Sequence, residues 1–168
     1  MLSVIRELRV KKIIISKQIE KNENYYEFKE IVNKKKIDVV IANSKDKLNI
    51  EVGIWIDFLW PGKHSFILEN PLNNNSLVCK FNYNNFSILF TGDIEKKAEE
   101  QILKKYKNNL NILNSTILKV AHHGSNTSST KEFIEAVKPQ IALIGVQKNN
   151  KFGHPNIDVI ERLENIRM

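Results

Sequence analysis

A single cysteine, Cys79, in 168 residues has nothing within the chain to pair with. That excludes an internal disulfide and implies a reducing or redox-indifferent setting. Cys79 stands inside an apolar run and reads as a core residue. No apolar stretch approaches the roughly 20 residues of a membrane-spanning helix, and no charged-then-apolar secretion signal is present. Any membrane part is therefore expected to lie outside this sequence. Internal repeats and domain linkers are not visible, and the length suits one domain, expected over residues 1–168. Histidine is also scarce, with His64 standing alone before His122.

What is present is ordinary for a soluble globular segment: 42% hydrophobic and 27% charged residues argue against a disordered or membrane class. Lysine and arginine number 26 against 19 acidic residues, a formal charge of +7 that favours an anionic partner such as nucleic acid. The excess is spread over Lys11-Lys12, Lys34-Lys35-Lys36, Lys96-Lys97 and Lys104-Lys105. The last two pairs share a predicted helix with Glu95, Glu99 and Glu100, the pattern of a solvated face. The charge permits DNA or RNA without identifying either.

Apolar periodicity predicts alternating helices and strands, hence an α/β fold. An amphipathic helix over residues 1–8 precedes a strand at 9–15, a helix at 25–34 and a strand at 38–42. Residues 50–59 read as one strand, stopped by Trp60-Pro61-Gly62. Residues 63–75 read as a polar, asparagine-rich loop. A hairpin pairs 77–82 with 86–90 across Tyr83-Asn84-Asn85, since asparagine tolerates left-handed turns. A helix at 94–106, strands at 117–120 and 140–146, and a helix at 130–137 follow.

Three of these strands end on chemically useful side chains. Thr91-Gly92-Asp93 places a carboxylate just past one strand, His122-His123-Gly124-Ser125 delivers two imidazoles from the next, and Gly153-His154-Pro155 follows the third. Each has a plain structural reading as well: Asp93 as a turn residue, the histidine pair as exposed or locally bonded, His154 as a loop former. Together they suggest one hydrolytic site, because imidazole and carboxylate at strand ends are rigid ligands for a borderline metal. In a two-metal site Asp93 can bridge both ions and lower the pKa of a shared water. One of His122 and His123 would complete one ion's shell, and the sequence leaves open which. Ser125, Thr127 and Ser128 offer hydroxyls near a bound phosphate, although Ser128 or Ser129 also suits the N-cap of the helix at 130–137.

The order strand, TGD, helix, strand, HHGS, helix, strand, GHP, helix resembles the C-terminal half of a metallo-β-lactamase-fold domain of the ComEC competence family. The resemblance extends to Leu59-Trp60-Pro61, Asn74-Asn75-Ser76, Leu89 to Glu95, Thr127-Ser128-Ser129 and Phe152-Gly153-His154-Pro155. It implies an αββα sandwich, divalent-metal hydrolysis of phosphodiesters, DNA as substrate, and two zinc or manganese ions in the intact domain. It places His154 and Ser125 as catalytic groups, Asp93, His122 and His123 as metal ligands, and Asn75, Ser76, Thr127 and Ser128 at the substrate. Asn75 and Ser76 stand where many enzymes of the fold carry another histidine. The coordination is then richer in oxygen, which brings manganese into competition with zinc.

The family's first metal motif, of the His-x-x-x-Asp-His type, has no counterpart here. The expectation is a fragment of a nuclease-type hydrolase domain, soluble itself but belonging to a bacterial membrane protein, and inactive without the N-terminal half. A hydrolase of the same fold with another function, or a non-catalytic remnant, is the alternative.

Overall fold

The computed structural model describes residues 2–17 and 22–165, which fall into two compact units, Met1–Ala42 and Asn43–Met168. Met1, assigned above to the first helix, lies outside the described residues.

In the first unit α1 (Leu2–Glu7) and β1 (Lys12–Ile15) precede α2 (Glu23–Lys35) and β2 (Asp38–Ile41). The strands pair in parallel from Lys12 with Asp38 to Ile15 with Ile41, which requires a crossover, and α2 lies within it. The α2 helix starts where the Asn22 side chain accepts from the Tyr25 N–H at 2.9 Å and ends at Lys36 in the left-handed region, φ 53°. Its buried stripe is Phe28 with Ile31 and Val32, which packs with Ile5 and Ile37 into a small core.

The second unit is built on one six-stranded sheet in the order β3-β4-β5-β6-β7-β8. The stretch predicted as a single strand is a hairpin: β3 (Lys47–Glu51) turns at Val52-Gly53 into β4 (Ile54–Trp60). Apolar alternation continues through that turn, so periodicity alone did not reveal it. As expected, β5 (Val78–Tyr83) and β6 (Phe86–Phe90) form a hairpin with Asn84 at φ 49°. From β6 onward the sheet is parallel, with β7 (Ile117–Lys119) and β8 (Ile141–Leu143) reached through α4 (Lys96–Lys105) and α5 (Lys131–Val137), and α6 (Ile157–Asn165) closes the order. Consecutive parallel strands put the C-terminal ends of β6, β7 and β8 at one edge of the sheet, where loops can share a site.

Leu89 and Leu118 from the sheet pack with Ile94, Ala98 and Ile102 around α4, Phe133, Ile134 and Val137 of α5, and Val159 and Leu163 of α6. Burying each such side chain contributes roughly 1.5–3 kcal/mol. The strands' other face is apolar as well. Ile56, Phe81, Ile88, Ile117 and Ile141 are register partners in one row across it, and Ile141, Leu143 and Phe90 are exposed.

The polar loop over 63–75 holds a helical turn, α3 (Pro71–Asn74), with Pro71 at its start. Asn74 is fully buried, and its side-chain oxygen receives the backbone N–H groups of Glu95 (3.1 Å) and Ala98 (3.3 Å), capping α4 from a distant segment. Its own carbonyl accepts the indole N–H of buried Trp60 at 2.7 Å.

The architecture is mixed α/β, as the alternation of elements implies. Among the described residues of Asn43–Met168 there is one sheet, so this unit by itself does not contain the paired sheets of an αββα sandwich.

Candidate functional site

Past β6 the chain turns at Gly92 (φ 58°), and the Gly92 carbonyl accepts the His122 N–H at 3.1 Å. Thr91 reinforces the junction by donating its hydroxyl to the Lys119 carbonyl at 2.6 Å. These bonds tie the ends of β6 and β7 together. His122 (φ 48°) and His123 (φ 56°) both occupy the left-handed region, an unusual conformation for consecutive non-glycine residues. Such geometry persists only where its surroundings over-determine it.

The two imidazoles leave that turn in different company. His123 Nδ1 lies 2.5 Å from the Gly145 carbonyl, past the end of β8. A carbonyl only accepts, so Nδ1 carries a proton, while Nε2 lies 3.8 Å from Asp93 Oδ1. The Nδ1 of His122 is buried, 3.5 Å from Glu95 Oε1, and makes no hydrogen bond. That separation is longer than an ordinary N–H···O bond of about 2.9 Å.

His154 joins them from its own loop. Asn150 holds this loop, its side chain accepting from the His154 N–H (3.0 Å) and donating to the His154 carbonyl (2.6 Å). The His154 ring lies 5.9 Å from that of His122 in an edge-on arrangement and stacks on Phe152 at 5.8 Å. Desolvation, then the neighbouring His122 and His123, pull its pKa below the usual histidine range. Asp93, His122, His123 and His154 thus come together at the C-terminal edge of three adjacent parallel strands.

The hydroxyl and amide candidates divide. Thr127 is exposed, and its Oγ1 lies 3.0 Å from Ser125 Oγ. Ser76 borders the Gly92 turn, where a Cβ on Gly92 would stand 2.7 Å from Ser76 Cβ. Asn75 is fully buried, bonded to both backbone groups of Ile67 and to the Pro71 carbonyl, so its amide shapes the loop. Ser128 is equally buried and donates to the Ala121 and Ser125 carbonyls. Neither Ser128 nor Ser129 caps α5; Thr130 does, through the Phe133 N–H.

Several residues that shape this edge were not among the sequence candidates. Buried Glu99 accepts the N–H groups of Ser129 (2.6 Å) and Thr130 (2.8 Å), while Arg162 donates to the Ser128 and Ser129 carbonyls and to Asn126. Burial raises the Glu99 pKa, opposed by these N–H donors and by Arg162. Lys119, half-buried beside the site, has its pKa lowered by burial, with Asp93 acting in the opposite sense. Glu95 stands against His122, and the sequence pattern had counted it with Glu99 on a solvated helix face, whereas both are buried.

Imidazole and carboxylate are suitable donors for zinc or manganese. The fit is partial. Asp93 with His123 and Glu95 with His122 are pairs, and among the described residues no three His, Cys, Asp or Glu side chains converge on a point. A shell of four or more ligands is not assembled by these residues alone.

No family model matches the chain. It is similar to bacterial competence proteins: 37% identical over 92 residues to ComE operon protein 3 of Bacillus subtilis, covering 55% of this chain and 11% of that protein. Competence protein ComA of Neisseria gonorrhoeae is 35% identical over 111 residues, 66% of this chain and 15% of that protein. Recombination protein 2 of Haemophilus influenzae is 33% identical over 113 residues, 64% of this chain and 14% of that protein. These similarities support a relationship to the ComEC-type competence proteins. The chain matches only 11–15% of the length of each.

Proposed function

We propose that the edge carrying Asp93, His122, His123 and His154 is part of a phosphodiester-hydrolysing site in a protein that handles DNA during uptake. The observation that carries this reading is the convergence itself: an Asp93–His123 pair at 3.8 Å and a His122–His154 ring pair at 5.9 Å, delivered by three parallel strands. The competence and recombination relatives favour DNA over other phosphodiesters. The exposed Phe152 ring beside His154 also offers a face on which a nucleobase can stack.

A divalent ion, zinc or manganese, would supply an activated water to such a site; this chain would contribute Asp93 and the Nε2 of His123 toward its ligands. His154, whose pKa is pulled below the usual histidine range, can accept a proton at this edge. Thr127 offers a hydroxyl to the phosphate. The apolar row from Ile56 to Ile141 on the sheet's second face suits the buried interface of a two-sheet sandwich, which supports the metallo-β-lactamase-type fold.

A non-catalytic scaffold is the second reading, favoured by the lack of a three-donor group among the described residues. Manganese titration of the labelled chain separates the two. Paramagnetic broadening confined to Asp93, His122 and His123, lost in Asp93→Ala, is the expected result. Broadening elsewhere, or none at millimolar manganese, favours the scaffold. Turnover of plasmid or single-stranded DNA by the chain alone is not expected.

A further inference from the structure

Glu95 is 7% exposed and its carboxylate is held by three asparagine amides: Asn70 at 2.8 Å, Asn73 at 3.1 Å and Asn74 at 3.4 Å. Their spacing of i, i+3 and i+4 places all three on one side of the α3 turn. The same Asn74 side chain receives the Glu95 backbone N–H, so the residue is fixed at both ends. Asn70, Asn73 and Asn74 are therefore a clamp around one carboxylate.

Facing that carboxylate is the buried, unpaired Nδ1 of His122, 3.5 Å from Oε1. A carboxylate already accepting three amide N–H groups can only accept from a further neighbour. A lone pair on Nδ1 would stand beside another lone pair, whereas a proton there stands beside negative charge. The neutral ring is thus driven toward the Nδ1–H tautomer. His123 reaches the same state by a different route, its Nδ1 bound to the Gly145 carbonyl.

We infer that Glu95 is a positioning residue for His122: held by Asn70, Asn73 and Asn74, it keeps the proton on Nδ1 and leaves Nε2 unprotonated. Both tandem histidines then present the same ring nitrogen as an acceptor. The tautomer follows from the geometry alone; its use in catalysis rests on the hydrolytic reading above.

Long-range ¹H–¹⁵N spectra of the labelled 168-residue chain at pH 8 test the assignment. The expected wild-type pattern is Nδ1–H for His122 as well as His123. In Glu95→Gln the new amide can donate to Nδ1, so His122 should lose that pattern and become Nε2–H. His123, which Gly145 holds, should not change and serves as the control for an intact turn. Glu95→Asp keeps an acceptor and should keep His122 as Nδ1–H. A wild-type His122 that is Nε2–H or an even mixture overturns the inference, as does an unchanged His122 in a folded Glu95→Gln. If Glu95→Gln unfolds, the wild-type pattern decides alone. An Nδ1–H signature without any manganese effect at the edge supports this role for Glu95 while overturning the hydrolytic reading.

Discussion

Gly124 and Pro155 are packed so closely that a Cβ on Gly124 would stand 2.7 Å from the Pro155 Cβ and 3.1 Å from its Cα. The Gly124 carbonyl also accepts the Asn156 N–H at 2.8 Å. The turn that carries His122 and His123 is thereby joined to the loop that carries His154.

Gly124→Ala should break that junction. Gly124 has φ 79°, and a side chain held in a sparsely populated backbone region costs of order 1–3 kcal/mol before the clash is counted. Urea unfolding should show at least this loss, and the His154 ring resonances should move more than those of α4. Unchanged stability and shifts would mean that the two loops are independent.

Asn74→Ala removes the side-chain oxygen that two backbone N–H groups at the start of α4 share, and one of the three amides on Glu95. Leaving buried donors unpaired costs about 1–3 kcal/mol each. A loss of roughly 2 kcal/mol or more in denaturant unfolding is expected from the same bookkeeping. A near-neutral effect would show that α4 finds another cap.

His154 should titrate below its ordinary value of 6.5. Because its folded-state pKa is depressed, the folded state disfavours the charged ring. The stability linked to this group is present above the unfolded pKa and is lost as pH falls through the folded one. A histidine NMR titration checks it, and a midpoint at or above 6.5 would contradict the crowding by His122 and His123.

Cys79 should be slow to react. Burial pushes its thiol up to about 11, so little thiolate is present near neutrality. Modification by a disulfide reagent at pH 7.5 should be far slower than for a free cysteine. Rapid labelling would mean that this strand face opens readily.

The candidate site was legible in the sequence where chemistry and strand endings coincided: Asp93, His122 and His123 follow apolar runs closely, His154 lies on the loop after the last strand, and parallel pairing does the rest. The Val52-Gly53 turn was not, because apolar alternation runs on either side of it. The asparagine clamp was hidden for a different reason. Asn70, Asn73 and Asn74 act through a helical turn too short to show periodicity, and their partner Glu95 is 21 to 25 residues away in sequence. Ser128 and Asn75 are held by bonds that close loops from within, a use to which residue types suited to a phosphate are equally suited.

The most direct test of the proposed function is to titrate the ¹⁵N-labelled chain with a short single-stranded DNA oligonucleotide and map the perturbed resonances. The expected result is a footprint centred on His154, Phe152, His123, Thr127 and Asp93, weakened by Phe152→Ala. A footprint on the scattered lysines of α4, indifferent to Phe152→Ala, would contradict the claim that this edge faces a phosphodiester.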